Sequence, residues 1–204
     1  MTEAPPGARL SPATARNRQP ILHVLKPRLP EAARVLEIAS GAGEHAVYLA
    51  QHLPGVTWRP SDPDEEARTS IAAWRGQAGL PNLADPLALD AADPATWPGD
   101  PVDAIVCINM IHISPWAATE GLMAGAGRLL ARGGKLFLYG PYIESDLPTA
   151  PSNLAFDASL KARNPAWGLR DLADVDALAA ARGLGRIERI AMPANNLIVV
   201  FQKG

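Results

Sequence analysis

Val35-Leu36-Glu37-Ile38-Ala39-Ser40-Gly41-Ala42-Gly43-Glu44-His45-Ala46 runs an apolar strand carrying one acid into a small, glycine-punctuated turn. Gly41 and Gly43 lack the Cβ atoms that would keep a ligand away from the backbone, and they permit a tight passage from strand into helix. The helix behind them begins with free N–H groups. This is the layout of a nucleotide-type cofactor site, with Ala39, Ser40, Gly41 and Gly43 lining it. Glu37 narrows the choice of ligand, because a carboxylate near the end of a buried strand is costly unless something pairs with it. A cationic end of the cofactor is the expected partner.

Two cofactors compete for the turn. Gly41-Ala42-Gly43-Glu44-His45-Ala46 fits the loose G-x-G-x-x-G/A dinucleotide fingerprint, and Asp62 stands where a ribose-binding acid belongs. In that fingerprint the glycines serve a pyrophosphate, which Glu37 would repel. S-adenosylmethionine carries no phosphate; it carries an ammonium, a carboxylate and a sulfonium. The structural alternative is that Glu37 caps a helix or pairs with an arginine.

The chain of 204 residues is long enough for one substantial core, and 48% apolar with 20% charged residues is ordinary for a globular domain. A net charge of −2 gives no global pull toward nucleic acid. The single cysteine, Cys107, cannot form an internal disulfide, which fits a cytoplasmic setting, and no zinc-binding spacing occurs. Residues 1–10 read as a flexible N-terminus without the apolar segment of a signal peptide or membrane anchor.

Ser11-Pro12 is an N-cap followed by proline at the first helical position, which predicts a helix through Arg18. A second short helix is expected from Pro20 to Leu25, stopping before Pro27. From Val35 onward strand and helix signals alternate. Strands are expected at Val35–Ala39, Thr57–Pro60, Leu87–Leu89, Ala104–Ile108 and Lys135–Tyr139, with helices at Glu44–His52, Asp64–Gln77 and Pro115–Leu130 between them. Such alternation predicts a doubly wound parallel sheet with helices on both faces. After a helix from Asp171 to Arg182, the strands Gly185–Met192 and Asn195–Gln202 are too closely joined for a parallel crossover and form an antiparallel hairpin. Five parallel strands finished by a hairpin make a Rossmann-like, seven-stranded α/β sheet, the pattern of class I S-adenosylmethionine-dependent methyltransferases and not of the all-parallel dinucleotide fold.

Five segments carry a closer resemblance: Arg16 to Ile21, Glu37 to His45, Pro60-Ser61-Asp62, Asn109 to Trp116, and Tyr139-Gly140-Pro141-Tyr142. Together with the stretch from Ser152 to Asp171 they resemble the small methyltransferase-like family long carried as a domain of unknown function. The resemblance spans nearly the whole chain from Ser11 and implies a fold, not a substrate. It implies one methyltransferase domain over 11–204, with a helical cap at 11–30 and an insertion at 143–170 after the fifth strand.

The wider superfamily implies roles for individual residues. Glu37 and the Gly41–Gly43 turn would hold the methionine moiety, Asp62 both ribose hydroxyls, and Asp90 with Ala91 the adenine. Asp62 has a local alternative in turn chemistry with Asp64. Ser40 stands where many members carry glycine. Asn109 follows the fourth strand at its carboxyl end, beside the departing methyl group. His112, three residues on, is a candidate general base, although a histidine between two isoleucines also serves as a core residue. His45 supports the cofactor loop. Tyr142 and Asn17 are expected to position the acceptor, with Tyr139 close by.

The expected activity is methyl transfer from S-adenosyl-L-methionine to a small-molecule acceptor, leaving S-adenosyl-L-homocysteine. No nucleic-acid, membrane or metal partner is expected. An NAD-dependent oxidoreductase and a non-catalytic S-adenosylmethionine-binding protein are the alternatives.

Overall fold

A computed structural model describes residues 4–204, so the first three residues of the expected flexible N-terminus lie outside it. The main sheet contains β1 (Arg34–Ile38), β2 (Thr57–Pro60), β3 (Val102–Ile108), β4 (Leu130–Gly140), β7 (Leu184–Met192) and β8 (Asn196–Lys203), in the order β2-β1-β3-β4-β8-β7. β1 to β4 run parallel, and β8 is antiparallel to both neighbours. Two-residue strands β5 (Tyr142–Ile143) and β6 (Arg170–Asp171) form a separate parallel ribbon.

Side chains alternate between two apolar layers because every central strand is covered on both faces. Val35, Ala104, Val106, Phe137 and Tyr139 face one layer with α1 (Pro12–Leu25) and α2 (Glu44–His52). Leu36, Ile38, Ile105, Cys107 and Leu138 face the other, with α4 (Trp116–Leu129) and α6 (Leu172–Ala180). Helix α3 (Glu65–Ala78) follows β2 and is capped by Asp64, which accepts from the Glu66 N–H. Helix α5 (Pro151–Arg163) lies in the expected insertion. Among the described residues, no helix is long and apolar enough to cross a membrane.

Three expectations are corrected. The third strand, expected at Leu87–Leu89, is an interrupted edge that begins earlier. Trp58 N–H donates to Asn82 O and Leu87 N–H to Pro60 O, but Pro86 has no N–H and only isolated bridges at Leu83 and Leu87 form. This edge fills the seventh position beside β2. The two N-terminal helices are one: Pro20 lies inside α1, where burial of Asn17, Ile21, Leu22, Val24 and Leu25 outweighs the lost hydrogen bond. The chain is tied down from Arg9, before Ser11. Arg9 N–H donates to Ser70 Oγ at 2.8 Å, and Trp74 Nε1 donates to Arg9 O at 3.0 Å.

Candidate functional site

The carboxyl ends of β1 to β4 bring together the turn at 39–43, the Ser61–Asp64 corner, the Asp90 bend, the Asn109 turn and the Gly140–Tyr142 exit. Crevices outside these ends are where open α/β sheets take ligands. The turn after β1 is sewn to the end of β2: Ser40 N–H donates to Ser61 O, Ser61 N–H to Ser40 Oγ, and Ser61 Oγ–H to Glu37 O. Gly41 N–H donates to Asp62 Oδ2 at 2.9 Å, and Asp64 N–H to Asp62 Oδ1 at 3.0 Å. The buried Asp62 carboxylate is therefore held between two backbone donors and keeps lone pairs for further ones.

Three residues of the turn have left-handed backbones: Ala39 (φ 54°), Gly41 (φ 57°) and Gly43 (φ 90°). A Cβ on Gly43 would come within 2.9 Å of Ile71 Cα, so the start of α2 is pressed onto α3. A Cβ on Gly41 would meet nothing within 4 Å, which leaves that side open to a ligand. Of the turn's non-glycine residues, Ala39 stands in a glycine-favouring backbone, whereas Ser40 is not at positive φ.

Glu37 is 1% exposed, and burial raises its carboxyl to about 7 against the hydrogen bonds that lower it. Its partners are neutral: Trp58 Nε1 donates to Oε2 at 2.7 Å, and Ser40 also hydrogen-bonds the carboxyl. The cationic pairing expected for it is thus replaced, within the chain, by an indole N–H and a hydroxyl. Trp58 gave no signal in the sequence beyond an aromatic residue on a strand.

Asp90 is exposed and accepts from Ala92 N–H at 2.9 Å, while buried Ala91 gives its carbonyl to Trp97 Nε1 and sits against Gly121 of α4. Asn109 adopts φ 65°, a conformation asparagine tolerates; its N–H donates to Tyr139 O and its carbonyl accepts from His112 N–H.

His112 is fully buried, and neither ring nitrogen has a hydrogen-bond partner. Burial lowers its pKa to about 3, so the ring is neutral. Its Nε2 lies 2.5 Å from where a Cβ on Gly140 would stand, and its ring meets Tyr142 edge-on with centroids 5.0 Å apart. As a core residue, the alternative role expected for it, His112 has its ring packed without a hydrogen bond. Arg170, which sequence reasoning missed, pins the segment by donating to the carbonyls of Ile111, Ser114 and Ala166. Gly168 N–H donates to His112 O.

On the opposite face, Asn17 and His45 are joined: His45 Nε2 lies 2.8 Å from Asn17 Oδ1, and Nδ1 lies 3.4 Å from Thr14 Oγ1. Asn17 also hydrogen-bonds Tyr139. The expected site residues therefore converge from two directions, α1 with Tyr139 on one side and His112 with Tyr142 on the other.

Over residues 8–203 the chain matches the family described as "Protein of unknown function (DUF938)". It is also similar to solved methyltransferase structures. An O-methyltransferase family protein from Burkholderia thailandensis is 16% identical with a TM-score of 0.80, covering 94% of this chain and 57% of its own. An O-methyltransferase family 2 protein from Planctomyces limnophilus, solved in complex with apigenin, is 20% identical with a TM-score of 0.73, covering 92% and 62%. Human N-acetylserotonin methyltransferase, solved in complex with SAM, is 14% identical with a TM-score of 0.76, covering 94% and 54%. The fold is thus that of class I methyltransferases, and this chain spans little more than half the length of those relatives.

Proposed function

The chain belongs to the DUF938 family and folds as a class I methyltransferase, and from that premise we propose that it transfers a methyl group from S-adenosyl-L-methionine to a small-molecule acceptor. One observation carries the reading. Gly41, with open space where its Cβ would stand, donates its N–H to the buried Asp62 carboxylate at the carboxyl ends of the parallel strands. A carboxylate so placed accepts from vicinal ribose hydroxyls, while the glycine lets a ligand touch the backbone.

When bound, the cofactor supplies an already activated methyl group. The chain then has to bind, align and exclude water. Asp62 takes the ribose, Asp90 and Ala91 the adenine, and Glu37, Ala39, Ser40, Gly41, Gly43 and Asn109 surround the methionine end. His45 and Asn17 hold α1 across the turn. In this reading Tyr142 walls the acceptor side, and His112 is the candidate to take a proton. A cytoplasmic setting belongs to the same reading, supported by the lone, buried Cys107.

Calorimetric titration tests it. S-adenosylhomocysteine should bind, and Asp62→Ala should weaken it by about 1–3 kcal/mol, the range for a lost buried partner. Binding of NAD in place of both adenosyl ligands would reverse the assignment.

A further inference from the structure

Beyond Gly140 a cleft of about 250 Å³ opens between the 144–150 loop, the start of α5 and the β7–β8 turn. It adjoins the site already described. Leu197 pairs with Gly140 across the sheet and lines the cleft, as does Tyr142, whose ring touches His112. We infer that this cleft is the methyl-acceptor pocket and that it takes a small, uncharged molecule with an apolar body and hydroxyl donors. The inference rests on the methyl-transfer reading for the word acceptor, but not for the ligand chemistry.

Three observations define that chemistry. The volume lies below the usual 300–1,000 Å³ of small-molecule sites, which restricts the ligand to a small ring or short chain. The charged lining residues balance each other: Arg189 Nε and Nη2 donate to the two oxygens of Glu144 at 2.7 and 2.6 Å, so the pair brings no net charge to the rim and a charged ligand would have to compete with it. The asparagines have engaged their amide nitrogens, Asn196 with both N–H groups and Asn153 and Asn195 with one each. Asn153 Nδ2 donates to Asn195 O, Asn195 Nδ2 to Ser152 Oγ, and Asn196 Nδ2 to the carbonyls of Pro193 and Ala194. Among the described residues no protein donor reaches their Oδ1 atoms, so a ligand hydroxyl finds acceptors in the rim, while Leu147, Met192 and Leu197 supply apolar walls.

The test uses the full chain and three probes of similar size: catechol, benzoate and benzylamine. Saturation-transfer NMR and calorimetry are run on the free protein and on protein saturated with S-adenosylhomocysteine. Catechol should bind in both states, and at least tenfold more tightly than either charged probe. Ala191→Trp, on the exposed side of the edge strand β7, and Leu147→Trp, on the exposed loop, should each fill the cleft from opposite walls. Both should abolish catechol binding while leaving S-adenosylhomocysteine affinity within twofold. Equal binding of benzoate or benzylamine, no catechol binding, or undiminished binding in both tryptophan variants would overturn the inference. Failure of S-adenosylhomocysteine to bind would overturn the methyl-transfer reading alone, because catechol is also scored on the free protein.

Discussion

His45 and Asn17 join the second residue of α2 to the inner face of α1, with His45 Nε2 at 2.8 Å from Asn17 Oδ1. Burial lowers the imidazole to about 4, so it is neutral and has one N–H to give. That N–H belongs on Nε2, facing the amide oxygen, which leaves Nδ1 to accept from Thr14 Oγ1–H. Because Asn17 also reaches Tyr139, one amide fixes α1 against both the glycine turn and the end of β4.

Asn17→Ala strands the N–H of buried His45, which costs about 1–3 kcal/mol. Urea unfolding should show that loss. If Asn17 positions the cap and takes no part in proton transfer, an acceptor's KM should rise along with any change in rate. Unchanged stability would mean that the helix is held by its apolar residues alone.

Stability should rise with pH to about 7 and then level off. His45 and His112 have pKa values lowered to about 4 and about 3, so the stability they contribute is present above their ordinary 6.5 and is lost as pH falls toward those values. Glu37 is raised to about 7, so its contribution is full below its ordinary 4.5 and fades as pH rises through about 7. Two histidines outweigh one glutamate up to about pH 7, where the protons still held by the unfolded chain's histidines and by folded Glu37 balance, and above that the opposing effects nearly cancel. Urea denaturation at pH 6.5 and 8 should leave the unaltered chain nearly level while Glu37→Gln gains stability from the histidines alone; equal changes in both proteins would remove Glu37 as the opposing group.

The turn after β1 separates strain from crowding. Ala39 sits at φ 54°, which costs a non-glycine residue about 1–2 kcal/mol, while glycine adds about 0.5–1 kcal/mol of chain entropy. Ala39→Gly should therefore gain between about 0 and 1.5 kcal/mol. Gly43→Ala meets the Ile71 backbone at 2.9 Å as well as the strained φ, and should lose at least about 2 kcal/mol. Denaturant midpoints for the two variants check the order; a destabilised Ala39→Gly would show that the methyl group packs.

Helices and strands with strong period were legible in the sequence: α2 and β2 have the expected bounds, and the hairpin follows from a connection too short for a crossover. Pro20 misled because tertiary burial overrides a local breaker, and Leu87–Leu89 because Pro86 interrupts a ladder that periodicity cannot see. The glycine turn and Asp62 announced themselves by spacing. Trp58 and Arg170 did not, because one acts across two strands and the other binds three backbone carbonyls, contacts that exist only after folding.

The final test concerns His112. Its neutral ring is held behind Gly140 with both nitrogens unpartnered, and the burial that lowers its pKa to about 3 makes it a weak base. His112→Asn removes the ring from a fully buried place and should cost on the order of 1 kcal/mol of stability. It should leave S-adenosylhomocysteine affinity intact, because the glycine turn and Asp62 lie across the site. If the ring takes the proton, turnover should fall by about 10²–10⁴-fold. Stability, affinity and rate are measured separately on the same preparation. A variant that unfolds more readily yet turns over normally while folded would assign His112 to the wall against Tyr142, and the acceptor would then lose its proton to water.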